Sequence, residues 1–229
     1  MEEVKGIKVY TVNEFEKETG VKFTKQHTGK MAGFSSLSTA SSCNGQCKKN
    51  AKIKGSICEK CYSNKMQKRY KALKKVLEKN HSILTKEVLP VEVLPFINVT
   101  YFRFEAFGDL ENETQFINYL NIANANKHCR FAIWTKNPHI IDEVLNGMNY
   151  KKPKNLNIIV SSLFINKEWN YKNSPYAQRY WFIDKVFTVY DKQYIKENNI
   201  NINCGAKSCI SCLKCYKKNN IKIINEVLK

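Results

Sequence analysis

Eight of the nine cysteines fall into two tight groups, and thiols at such spacing are metal-ligand chemistry. Cys43, Cys47, Cys58 and Cys61 read C-x3-C-x10-C-x2-C, and Cys204, Cys209, Cys212 and Cys215 read C-x4-C-x2-C-x2-C. A tyrosine, Tyr62 or Tyr216, follows the last cysteine of each group. Thiolates this near in sequence can converge on one ion or cluster. The first group offers the four thiolates that closed structural zinc prefers. In the second, two successive C-x2-C steps are typical of ferredoxin-like loops and would be cramped around one zinc. A [4Fe–4S] cluster is the reading there, with zinc as the alternative. Cys129 stands alone between His128 and Arg130 and reads as a buried core cysteine.

Other chemistries lack support. His27, His81, His128 and His139 are scattered and form no ligand motif. No phosphate-binding loop and no G-x-S-x-G nucleophile elbow occurs. The formal charge of +18 attracts polyanions such as nucleic acid. A Lys- and Asn-rich composition of the kind an AT-rich genome encodes would give the same excess. The first residues lack the apolar core of a secretory signal, and no run of eighteen apolar residues occurs. A cytoplasmic, reducing compartment is expected, where clustered cysteines are ligands rather than disulfides. Membrane association is not expected, and the oligomeric state is not legible.

The elements that must position these groups alternate. A strand at Ile7 to Tyr10 and a short helix at Val12 to Thr19 open the chain. GFSSLS, from Gly33, reads as the first strand of a βα series, with the first cysteine loop after it. From Tyr62 to about Val88, Met66, Tyr70, Leu73, Leu77 and Leu84 recur at helical steps among lysines, predicting one long amphipathic helix with a basic face. Strands follow at Val99 to Phe107, Arg130 to Thr135, Leu156 to Leu163 and Asp184 to Tyr190. Helices are expected at Thr114 to Ala125 and from Pro138 to Leu145, and Ile221 to Leu228 reads as a closing helix. Alternation of this kind predicts an α/β fold: a partial or open (βα) barrel of parallel strands with a small cysteine-rich C-terminal lobe. The expected division is a lead-in over 1–32, the barrel domain over 33–200 and the cysteine-rich segment over 201–229.

In parallel βα sheets, functional groups gather at the C-terminal ends of the strands. Those ends hold the first cysteine loop, Glu105 with Gly108 and Asp109, Thr135 with Lys136, and Ser161 with Ser162. Lys136 can meet a carboxylate or phosphate, or be a solvated strand end. Ser161 and Ser162 can offer hydroxyls to a ligand, or simply turn the chain. Arg103 and Glu105 alternate with Phe102 and Phe104, which places their side chains on one face, with an ion pair in reach.

Six segments together resemble a known family: GKMAGFSSLSTASSC, CEKCYSNKMQKRY, YFRFEAFGDL, HCRFAIWTKNP, NLNIIVSS and CGAKSCISCLKCYKKN. In order and spacing they look like the gene product 88 family of phages and mobile elements, from about Gly29 to Asn219. That resemblance implies a phage-type protein in a bacterial host cell, and it carries no biochemical role. A strand followed by cysteines ending in C-x2-C-Y, then a partial barrel, is more distantly similar to radical S-adenosylmethionine enzymes of the spore photoproduct lyase-like branch. The likeness implies a three-cysteine [4Fe–4S] site open to S-adenosylmethionine, with Cys58, Cys61 and either Cys43 or Cys47 as ligands. Gly108 and Asp109 resemble the segment that holds the amino group of that ligand. The spacing departs from the C-x3-C-x2-C of those enzymes. Two main functions therefore stand, an iron–sulfur enzyme of unknown substrate or a zinc-stabilised, non-enzymatic nucleic-acid-binding protein; a phage protein that modifies or blocks a host partner is a weaker third.

Overall fold

Six strands run parallel in chain order, and one cysteine group lies at their C-terminal ends while the other covers one face. The computed structural model describes residues 9–25, 27–170 and 177–228. The sheet comprises β2 (Ser35–Leu37), β4 (Tyr101–Phe104), β5 (Arg130–Thr135), β6 (Leu156–Ser161), β7 (Lys185–Tyr190) and β8 (Ile223–Val227), side by side in that order. Every neighbouring pair is parallel, with Phe104 level with Ile133 and Ile159 level with Lys185. Chain order without reversal is the topology of an open βα barrel. A separate parallel pair joins β1 (Tyr10–Thr11) to β3 (Pro95–Phe96). Ile7 and Lys8 of the strand expected at Ile7 to Tyr10 lie outside the described residues, and Tyr10 begins β1.

One face of the sheet carries the main core. Phe102, Phe104, Phe131, Ile133, Ile158 and Val160 pack against α5 (Glu113–Ala125) and α6 (Pro138–Asp142). The Phe104 ring stacks on Tyr119 at 4.4 Å and on Phe131 at 5.1 Å. Side chains of this size each contribute about 2–3 kcal/mol by leaving water. Proline opens α6 as expected, and the helix continues as a π turn over Glu143–Gly147. Cys129 is fully buried in this core.

The helix α1 (Val12–Thr19) begins with a reciprocal cap. Thr11 Oγ1 accepts from the Glu14 amide, and Glu14 accepts from the Thr11 amide at 2.8 Å. Gly20, at φ 77°, ends it.

Three expectations are corrected. The long helix is two: α3 (Tyr62–Arg69) and α4 (Lys71–Leu84), separated by an extended Tyr70. The buried residues of α3 are polar, Ser63 and Gln67, and bond Ser41 and Ser42, whereas α4 buries Leu77 and Leu84. The C-terminal segment is a strand, not a helix: β8 pairs along β7 from Ile223 to Val227. Its β-branched Ile, Ile and Val suit a pleated surface. Finally, Arg103 and Glu105 do not share a face. Glu105 has φ 54°, which ends the strand and turns its carboxylate onto Gln115 and Tyr119, beside Phe104. Arg103 keeps to the opposite face, over Trp134 at 4.0 Å.

Candidate metal centres

The first cysteine loop leaves β2 and crosses the C-terminal ends of three other strands. Asn44 caps α2 (Gly45–Asn50) and donates to the Asp109 carbonyl at 3.1 Å. The Gly45 amide donates to Glu111 at 2.8 Å, and the Ile57 amide to the Leu163 carbonyl at 2.9 Å, beyond β6. The loop is thus fastened beyond β4 and β6, and its cysteines are held over the rim.

Cys47, Cys58 and Cys61 lie there within electrostatic reach of one another. Burial pushes the Cys47 thiol well up, and the charges of Asp109, Cys58 and Cys61 add to that while Lys136 opposes it. The Cys58 thiol is also raised, first by burial, with Lys136 pulling down and Cys61 and Asp109 pushing up. The Cys43 side chain packs on an apolar cluster of Ala40, Leu77 and Phe107. Asp109 and Lys136 thus act on Cys47 and Cys58, while Cys43 packs on apolar neighbours.

Asp109 is the hinge of this rim. Its carboxylate accepts from Thr135 Oγ1 at 2.5 Å, the Leu110 amide at 2.8 Å and the Lys136 amide at 3.0 Å. It ties the end of β4 to the end of β5, and burial still raises its pKa, with the Lys136 charge as the chief opposing influence. Gly108 serves close approach: a Cβ there would lie 2.6 Å from the Thr39 carbonyl oxygen and would also strike the Glu105 carboxylate. Ser161 ends β6 level with Phe187, and Ser162 turns to Thr188 at 3.2 Å. Nothing joins Ser161 to the thiols among the described residues.

Glu105 is the most buried charge of the rim, at 2% exposure. Its carboxylate accepts from the Thr39 amide at 3.2 Å, Thr39 Oγ1 at 3.1 Å, Gln115 Nε2 at 2.7 Å and the Tyr119 hydroxyl. Burial lifts its pKa to about 7, against the pull of those donors. The sequence marked Glu105 as a strand-end residue but held no sign of Thr39, Gln115 and Tyr119 around it.

The second cysteine group lies on the sheet face away from α5. A short helix, α8 (Cys209–Cys212), and Tyr216 bring it onto Phe34, Ala132 and Ile159. The Tyr216 ring is 4.7 Å from Phe34. Cys204, Cys209, Cys212 and Cys215 all act on one another electrostatically. Burial pushes the Cys215 thiol up to about 12, the other cysteines add, and Arg103 opposes. Lys30 Nζ stands 3.2 Å from Cys204 Sγ and 2.8 Å from Glu226. Burial works against the Lys30 charge, yet Glu226 and Cys204 outweigh it and raise its pKa. Neither Lys30 nor Glu226 stood out in the sequence, because 174 or more residues separate Lys30 from both partners.

None of the nine cysteines forms a disulfide. Among the described residues, no three His, Cys, Asp or Glu side chains are drawn together tightly enough to hold a metal ion. The thiols of each group must therefore close in around any ion they take up. The donor chemistry fits such uptake: each set is all sulfur, and each has cations beside it, Lys136 at the first and Lys30 with Arg103 at the second. A buried thiol stays protonated at neutral pH until a metal or a cation takes over the proton's role.

A single-direction parallel sheet bearing one cysteine group at its rim and another across its face defines an α/β protein with paired cysteine centres. The chain belongs to the gene product 88 family of phage proteins, whose model matches residues 11–226. No curated protein and no solved structure matches it. Among the described residues, no helix is long and apolar enough to cross a membrane.

Proposed function

We propose that this chain is an iron–sulfur protein whose rim cysteines, Cys47, Cys58 and Cys61, hold a [4Fe–4S] cluster with one iron left open, and that it works as an enzyme of the radical S-adenosylmethionine type. A second [4Fe–4S] cluster is assigned to Cys204, Cys209, Cys212 and Cys215. The observation that carries the reading is that Cys43 packs on Ala40, Leu77 and Phe107, whereas Cys47, Cys58 and Cys61 act on one another electrostatically. A closed zinc site needs a fourth protein ligand. Cys43 is packed against Leu77, and the Asp109 carboxylate is already taken up by Thr135, Leu110 and Lys136. Three thiolates on a cluster leave one iron free for a small-molecule ligand, and S-adenosylmethionine is the ligand the open position suits.

The chain's own residues support that role. Lys136 offsets thiolate charge at Cys47 and Cys58. Asp109 orients the Lys136 backbone. The bond from the Ile57 amide to the Leu163 carbonyl fastens the turn that carries Cys58 and Cys61.

Anaerobic purification tests the assignment. The expected product is brown, with about eight irons and matching sulfide per chain if both groups are loaded. The reduced protein should show an electron paramagnetic resonance signal that shifts when S-adenosylmethionine is added. A colourless protein carrying stoichiometric zinc would exclude the proposal.

A further inference from the structure

A strongly basic stretch borders the rim thiols. Between residues 48 and 79 the chain carries twelve Lys and Arg against two Glu, out of 38 and 20 in the whole. All of those cations except Lys74 are exposed, and Lys74 pairs along its helix with Glu78 at 3.5 Å. The stretch runs through α2, the Cys58–Cys61 turn, α3 and the first half of α4, so it edges the site described above.

Two aromatic rings stand out from this surface. Tyr62, directly after Cys61, is 62% exposed, and Tyr70, at the break between α3 and α4, is 45% exposed. They mark the two ends of α3, about 12 Å apart by helical rise. The Tyr62 ring lies nearly parallel to Phe107, at 15° and 6.3 Å, which steadies its plane. The Arg69 guanidinium lies 5.3 Å from the Tyr70 ring. The break at Tyr70 turns what would have been one continuous solvated helix into a step that presents both rings.

We infer that this surface binds single-stranded nucleic acid, with phosphates on the lysines of α3 and its flanks and bases stacked on Tyr62 and Tyr70. Phosphate neutralisation supplies the affinity, and stacking needs base faces that only an unpaired strand offers. A membrane fits less well, because Met66, Leu73, Leu77 and Leu84 turn inward and leave no apolar stripe to insert. That the bound strand is also the substrate rests on the enzymatic reading above.

Fluorescence anisotropy of a labelled oligothymidylate of about twenty nucleotides, titrated with the full chain at several salt concentrations, tests the surface. Binding should weaken with a steep linear dependence of log affinity on log salt. Replacing Lys65, Lys68, Arg69 and Lys71 together by alanine should reduce that slope by about three and weaken binding more than tenfold at about 0.1 M salt. Y62A/Y70A should lose about tenfold per ring at an unchanged slope. Equal affinity for a duplex of the same length, indifference to the tyrosine changes, or preference for phosphatidylserine vesicles would each overturn the inference. Iron content measured on the same samples keeps the two proposals apart: tight oligonucleotide binding by iron-free protein sinks only the enzymatic reading, and iron-loaded protein without binding sinks only this one.

Discussion

Lys30 Nζ lies 3.2 Å from Cys204 Sγ, so a residue ahead of the first sheet strand is fastened to the second cysteine group. The same ammonium meets Glu226 on the edge strand β8 at 2.8 Å and the Cys204 carbonyl at 3.1 Å. One cation thus joins the beginning of the sheet to its last strand and to a thiol. Its partners explain why a lysine is tolerated there at 22% exposure. The site carries negative charge when Cys204 is ionised, and Lys30 is placed to meet it.

Lys30→Met should therefore affect Cys204 more than the other thiols. Loss of the cation removes the influence that holds the Cys204 thiol down against its burial. Alkylation of Cys204 by iodoacetamide at mildly alkaline pH, followed peptide by peptide, should slow several-fold, with Cys58 unchanged. Stability in urea should drop by about 1 kcal/mol, the scale of a half-buried ion pair. Uniform changes at all eight clustered thiols would argue for general loosening instead.

Gly108→Ala should be among the costliest small changes in the chain. The added methyl meets the Thr39 carbonyl at 2.6 Å and Thr39 Oγ1 at 2.8 Å, and one of these is backbone that cannot swing away. Overpacking of this kind costs about 1–3 kcal/mol. Because Thr39 leads into the cysteine loop, the strain should also expose Cys47 to alkylation. A variant as stable as the parent would mean that the end of β4 yields more readily than its contacts imply.

Glu105 gives the fold a pH dependence of definite sign. Its pKa is lifted from 4.5 to about 7, by burial first, with the Asp109 charge adding and the Tyr119 and Thr39 hydrogen bonds opposing. The folded chain keeps a proton that the unfolded chain gives up between those values. This carboxyl therefore costs the fold nothing below pH 4.5, and its penalty grows as pH rises towards 7, to on the order of 3 kcal/mol. Glu105→Gln cannot ionise and should lose that slope, although it misplaces one amide donor against the Thr39 N–H and lowers stability at acid pH. Urea midpoints measured from about pH 5 to pH 8 decide the matter. Parallel curves for the two proteins would show that Glu105 does not titrate in this range.

Periodicity and punctuation carried much of the fold. RFAIWT is a strand from Arg130 to Thr135 as its apolar run predicts, α1 occupies Val12 to Thr19, and chain-order alternation of strands and helices gave a parallel sheet. The break at Tyr70 was hidden because α3 buries Ser63 and Gln67, and hydrophobic periodicity is blind to a polar inward face. Ile221 to Leu228 satisfies helical steps as well as alternation. The decision for β8 came from the open edge of β7, which is tertiary. The turn of Glu105 away from Arg103 depends on one left-handed residue that no composition marks. For the sites, cysteine spacing announced two groups, but it could not say that Cys43 packs on Leu77 and Phe107, because that contact is tertiary.

Alanine scanning of the first cysteine group turns that contact into a measurement. Cys43 packs on an apolar cluster, whereas Cys47 and Cys58 share the field of Asp109 and Lys136, and Cys61 acts on both. Cys43→Ala removes only packing, about 1 kcal/mol on the scale of a small buried group, and should keep the parent's iron content. Cys47→Ala, Cys58→Ala and Cys61→Ala should each lose about half of the iron, the share of one of two clusters. The second group is the internal control, since Cys212→Ala should remove the other half and leave the rim's response to S-adenosylmethionine intact. If Cys43→Ala loses metal as completely as Cys58→Ala, all four thiols are ligands and the rim is a closed site. The open coordination position, and with it the proposed chemistry, would then be gone, because no other protein donor at the rim distinguishes an iron that binds substrate from one that only fastens a loop.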